Sequence, residues 1–283
     1  MKPLKFTQPL VSVSWLSEHL DHPDLIVLDA TIKKVTSTKE AKSANLQIKN
    51  ARFFDIKKAF SDTTTDIPNM LPTPEAFSEA CRNIGISNHH KIVVYDQLGI
   101  YSSPRVWWMF KTMGHENIAV LDGGLPAWKG ANMPCETMDN SSNPTERGDF
   151  KAMFDQDLTT DSKSILAEMN NKNTLILDAR SPGRFTAQEP EPRASLKGGH
   201  IPNSMNLHYT KIVRDGHLLP VGELKEVLDD FNIENKKLIF TCGSGITACI
   251  IMLAANLAGY DNVSVYDGSW SEWGQLDGVP IAC

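Results

Sequence analysis

KLIFTCGSGITACIIMLA, residues 237–254, reads as a short apolar strand, a glycine-bearing loop and an apolar helix in direct succession. Leu238–Phe240 is apolar on consecutive positions, as in a strand covered on both faces of a parallel sheet. Thr247–Leu257 reads as the helix, with Gly259 beyond its end as a C-cap signal. Cys242 stands where the strand ends, and open α/β sheets form their sites at the carboxyl ends of strands. Gly243 and Gly245 let backbone N–H groups turn toward the sulfur, and the helix N-terminus adds positive partial charge. Both effects favour an anion there. The plainer alternative is a small buried cysteine that only fills the core.

Working outward, the same sentence is written twice. KIVVYDQLGIYSSPRVWWMF (91–110) aligns with the quoted stretch, Lys91 on Lys237 and Asp96 on Cys242. Further on, Asp122-Gly123 aligns with Asp267-Gly268, and Trp128 with Trp273. Upstream, LIVLDA (25–30) matches LILDA (175–179), and IKNARFFDI (48–56) resembles IPNSMNLHY (201–209). A single repeat of this size means a duplicated domain and not a solenoid. Strands such as Leu175–Leu177 alternate with helical patterns such as Gly222–Phe231 and Glu75–Asn83. That alternation predicts α/β domains, each a parallel sheet flanked by helices. We expect a first domain over 1–135, an exposed linker over 136–152 and a second domain over 153–283. The linker rests on the polar, Pro-containing run MPCETMDNSSNPTERGDF (133–150).

The chain of 283 residues has 41% hydrophobic and 22% charged residues, an ordinary globular balance with room for two cores. A net charge of −6 argues against nucleic acid or an anionic membrane as partner, so an anionic substrate needs a local Arg or Lys cluster. Five cysteines without a CxxC pair suit neither a disulfide framework nor a zinc site, and no cofactor is expected. With Gln8, Pro9, Ser12 and Ser14 interrupting the first residues and no long apolar run, we read no secretory signal or membrane span, and expect a cytoplasmic protein.

CGSGITA (242–248) resembles the active-site loop CG[ST]G[VI]TA of the mercaptopyruvate sulfurtransferase branch of the rhodanese superfamily. SPRVWWMF (103–110), LDGGLPAW (121–128), GHIPNSMNL (199–207) and DGSWSEWG (267–274) extend the resemblance over nearly the whole chain. It implies two tandem rhodanese-like domains, the first non-catalytic with Asp96 at the cysteine position, the second catalytic. It further implies sulfur transfer from 3-mercaptopyruvate through a Cys242 persulfide to a thiol such as thioredoxin or glutathione, or to cyanide. By the same resemblance, Arg184 and Arg193 hold the substrate carboxylate, Gly243, Gly245, Ile246 and Thr247 belong to the binding loop, and Ser244 serves catalysis.

The residues themselves support parts of this. Arginine binds a carboxylate bidentately, whereas an exposed arginine with no other signal is most often a solvated charge. Arg180, directly after a strand, reads as structural and paired with an acid. Ser244 is placed to donate to a carbonyl or enolate oxygen. Two family positions differ: Lys57 follows FFDI where the family has aspartate, and Asn69 precedes MLP where it has histidine. Asn69 can hydrogen-bond but cannot relay a proton, which favours direct thiolate attack over a serine relay. Lys57 reads as a solvated lysine. Trp107, Trp108, Trp128, Trp270 and Trp273 read as core, and His200 as part of a structural turn. Three alternatives stand beside this reading. A thiosulfate sulfurtransferase would carry cations inside the loop, as in CRKG[VI]T. A cysteine phosphatase would need an arginine about six residues after the cysteine, where Ala248 stands. A non-enzymatic sulfur carrier would have no need of an intact loop.

Overall fold

The computed structural model describes residues 4–32, 46–138 and 146–283. The chain divides into two compact units, one of Met1–Asp62, Leu71–Asp155 and Asp215–Leu218, the other of Thr63–Met70, Gln156–Arg214 and Leu219–Cys283.

The first unit is built on five parallel strands in the spatial order Leu10–Val11, Ile118–Leu121, Lys91–Tyr95, Leu25–Asp29, Arg52–Phe53. In the second unit the order Thr159–Thr160, Val263–Tyr266, Lys237–Thr241, Thr174–Asp178, Met205–Asn206 repeats it strand for strand. Register repeats as well: Leu25 pairs with Lys91 through to Asp29 with Tyr95, and Thr174 with Lys237 through to Asp178 with Thr241. The central strands are buried along almost their whole length because helices cover both faces, which is why they read as unbroken apolar runs.

Helix Ala248–Leu257 is apolar all round and packs on strands Lys237–Thr241 and Val263–Tyr266, while helix Val221–Asp229 covers its outer side. Gly259, at φ +93, closes it in the left-handed conformation that glycine adopts without strain. The five tryptophans read as core are all buried. Even their polar bonds are duplicated: Trp128 Nε1 donates to the Pro134 carbonyl at 2.9 Å and Trp273 Nε1 to the Pro280 carbonyl at 3.0 Å.

The end of the expected linker is bound to the first unit. Gly148 and Phe150 donate backbone N–H groups to Arg82 and Ile86, and Met153 donates to Met113. Phe150 is fully buried against Phe77 and Phe110, an apolar anchor within a polar run. Residues 139–145 of the linker lie outside the described residues. Among the described residues, no helix is long and apolar enough to cross a membrane.

Candidate functional site

Cys242 follows strand Lys237–Thr241 directly, six residues before the helix at Ala248. The loop is held from one side by the turn after strand Val263–Tyr266. Cys242 N–H donates to Ser269 Oγ at 3.2 Å, and the Cys242 carbonyl accepts from Trp270 N–H at 3.0 Å. The Gly243 carbonyl accepts twice from Ser271, from its N–H at 2.8 Å and from its hydroxyl at 2.5 Å. Ser269 sits at φ +48, a strained conformation for a residue with a Cβ, and its hydroxyl also donates to the Tyr266 carbonyl.

The two loop glycines have different reasons to be glycine. Gly245 turns the chain at φ +74. Gly243 has no positive φ; a Cβ there would meet Arg184 Nη2 at 3.0 Å, so its missing side chain makes room for a guanidinium. Cys242 itself is 2% exposed, Ile246 is buried, and the loop meets solvent at the half-buried Gly243, Ser244 and Thr247. Cys249, the second residue of the helix, is buried and bonds the Gly245 carbonyl through its thiol.

Both arginines singled out from the sequence converge on Gly243. Arg184 donates through Nε and Nη2 to Glu191, its shortest contact 2.5 Å, while its head packs over the Gly243 Cα. Arg193 Nη1 donates to Ser271 Oγ at 2.6 Å, and that hydroxyl is the one that reaches the Gly243 carbonyl. Burial, and then the neighbouring Arg184 cation, pull Arg193 below the usual arginine range, with Glu191 opposing. Two neighbouring guanidiniums, one of them sharing its carboxylate Glu191 with the further cation Arg180, suit an incoming anion.

Glu191, which the sequence reading passed over, organises this cluster. Its carboxylate is 1% exposed and bridges Arg184 to Arg180 Nη1 at 2.8 Å. Arg180 in turn grips Asp178, at the end of its strand, by Nε and Nη2 and stacks over Trp270. It is the structural arginine the sequence suggested. Asn69, in the same unit, donates to both the carbonyl and the hydroxyl of Ser244, at 3.2 and 3.0 Å. His200 stacks on Phe185 and bonds its carbonyl, away from the loop chemistry. Lys57 is exposed in the first unit, as read from the sequence. Among the described residues, no group of three His, Cys, Asp or Glu side chains is placed to hold a metal ion.

Comparison with known proteins places these features in context. The rhodanese-like domain profile matches residues 12–131 and again 161–276. A 3-mercaptopyruvate sulfurtransferase of Escherichia coli is 35% identical over 277 residues, covering 96% of each chain. A thiosulfate sulfurtransferase of Rattus norvegicus is 37% identical over 275 residues, covering 93% of this chain and 91% of its own. Among solved structures, that of SseA from Escherichia coli, described as showing the rhodanese fold and catalytic mechanism of 3-mercaptopyruvate sulfotransferases, superposes with a TM-score of 0.82 at 34% identity. It covers 94% of this chain and all of the other.

Proposed function

The chain belongs to the rhodanese-like domain family, and we propose that it moves sulfur from 3-mercaptopyruvate through a persulfide on Cys242 to a thiol or cyanide acceptor, releasing pyruvate. The observation that carries this reading is the convergence of Arg184 and Arg193 on Gly243, next to a cysteine at a strand exit. A 2-keto acid brings a carboxylate for those cations and a sulfur within reach of the neighbouring residue.

In the first step the Cys242 thiolate attacks the donor sulfur. A Sγ–S bond forms, the donor C–S bond breaks, and its electron pair passes into the pyruvate enolate. The donor's own S–H proton then moves to the enolate carbon, giving pyruvate and a Cys242 persulfide anion. Arg184 and Arg193 hold the carboxylate throughout. The Ser244 hydroxyl, oriented by Asn69, donates to the keto oxygen as it gains charge. Gly243, Gly245, Ile246 and Thr247 carry the loop amides that face the sulfur anion. In the second step an acceptor thiol attacks the outer sulfur, takes it as its own persulfide and restores the Cys242 thiolate. Thioredoxin and glutathione in the cytoplasm are acceptors of the required chemistry. Near-complete burial of Cys242 keeps the persulfide from bulk water and stray thiols between the steps.

The 37% identity to a thiosulfate sulfurtransferase supports thiosulfate as a second donor. The uncharged loop argues that it is the poorer one. Mass spectrometry after each donor tests both readings. With 3-mercaptopyruvate we expect about 32 Da, one sulfur atom, added at Cys242. Cys242→Ser should add nothing and lose turnover by on the order of a thousandfold or more. Sulfur on another cysteine, or turnover surviving in the serine variant, would remove Cys242 from the reaction. A wide margin in favour of thiosulfate would overturn the donor.

A further inference from the structure

We infer that Ser271 is a positioning residue that fixes the donor-binding Arg193 and the sulfur-carrying loop through one hydroxyl. The inference rests on the reading of Arg193 as a holder of the donor carboxylate. Ser271 lies in the turn of helix Ser269–Trp273 and is 1% exposed. Its hydroxyl proton goes to the Gly243 carbonyl at 2.5 Å, so the oxygen is left as an acceptor, and Arg193 Nη1 donates to it at 2.6 Å. Arg193, Ser271 and the Gly243 peptide are thus one directional chain ending beside Cys242, headed by a charge-assisted bond.

The consequence for the loop follows from peptide planarity. A trans peptide carries its carbonyl and the next N–H on opposite sides. Fastening the Cys242 carbonyl to Trp270 N–H turns the Gly243 N–H the other way, and fastening the Gly243 carbonyl to Ser271 does the same for the Ser244 N–H. Ser271, by its N–H and its hydroxyl together, therefore fixes the direction of the amide that follows Gly243.

The duplicate loop shows that this second fastening is an addition in the second unit. There Leu125 N–H donates to the Asp96 carbonyl at 3.0 Å, matching the Trp270 bond to Cys242. The residue matching Ser271 is Pro126, which has neither an N–H nor a hydroxyl. The loop that carries Asp96 in place of a cysteine has one of these carbonyl fastenings; the loop that carries Cys242 has both.

The test is a double-mutant cycle on the full chain, with steady-state kinetics in 3-mercaptopyruvate. Losing a hydrogen bond to a charged group predicts that S271A raises KM about tenfold, with kcat falling less than about threefold. The product-inhibition constant of pyruvate should weaken in parallel. Because Ser271 acts through Arg193, S271A/R193A should be no worse in KM than R193A alone. S271C, close to isosteric, should fall between wild type and S271A, and gives the same reading should S271A prove too unstable to assay. An unchanged KM in S271A while R193A raises it, or fully additive effects in the double variant, overturns the role of Ser271 and leaves the proposed function standing. A KM that does not respond to R193A overturns both.

Discussion

The loops 96–102 and 242–247 leave equivalent strands of two units with one topology, yet they are held in opposite ways. In the first, the carboxylate of Asp96 is fully buried and gathers the chain around itself. One oxygen accepts from Leu98 N–H, the other from the N–H groups of Tyr101, Ser102 and Ser103 and from the Ser103 hydroxyl, all at 2.7–3.0 Å. In the second, no side chain fills that role. The carbonyls of Cys242 and Gly243 are fastened from the adjoining turn, and cysteine occupies the position of the acid. The adjoining turns differ to match. Gly124, at φ +52, has no room for a Cβ because the Asp96 carbonyl stands 2.3 Å from where it would be. Ser269, at φ +48, accepts the same strained backbone and brings a hydroxyl to Cys242 N–H. The lesson is that one fold builds an anion cradle twice, and the first copy fills it permanently from within its own chain.

That difference can be broken most directly at Asp96. Asp96→Ala strands several buried donors, so the first unit should lose about 3 kcal/mol or more. Cys242→Ala, which removes one sulfur from the matching place, should cost the second unit only about 1 kcal/mol. Thermal unfolding followed separately for each unit measures both. Equal losses would mean that the Asp96 carboxylate does not organise its loop.

A second contrast lies one turn beyond the helix, where His115 of the first unit aligns with Tyr260 of the second. Burial, the dominant cause, pushes the His115 imidazole down to about 4. An unfolded chain titrates it near ~6.5, so below that pH the unfolded state binds a proton that the folded unit refuses. Stability is then complete above about pH 6.5 and falls by about 3 kcal/mol by about pH 4. His90, also held down to about 4, acts in the same direction. Acid should therefore separate the melting transitions of the two units, and His115→Gln should flatten the slope. A first unit that melts at the same temperature from pH 7 to pH 4.5 would sink this expectation.

The smallest effect is expected at Gly243, whose counterpart Gln97 carries a full side chain. Gly243→Ala sets a methyl 3.0 Å from the Arg184 guanidinium, which is flexible enough to shift. KM for 3-mercaptopyruvate should rise about fivefold, near 1 kcal/mol, with the fold intact. An unchanged KM would show that Arg184 does not need its place over the loop.

Much of this was legible in one dimension. The duplication, the buried strands and the exit position of Cys242 all follow from spacing and apolar pattern, because a parallel sheet covered on both faces imposes them locally. Arg184 and Arg193 were reachable only through the family resemblance, since nothing local separates them from solvated arginines. Glu191, Ser269 and Ser271 were passed over. A comparison of GGLP with GSWS across the repeat, placing Gly124 and Pro126 opposite Ser269 and Ser271, carried the one available signal.

Sequence alone determined that the chain is a doubled strand–loop–helix architecture with a thiol at one exit and an acid at the other. Tertiary structure alone decided which groups gather around the loop that carries that thiol. Arg193 meets Ser271 across 78 residues and Asn69 meets Ser244 across 175. Such contacts depend on which strands lie side by side and where their carboxyl ends emerge, and hydrogen bonds a few ångströms long leave no period in the chain that encodes them.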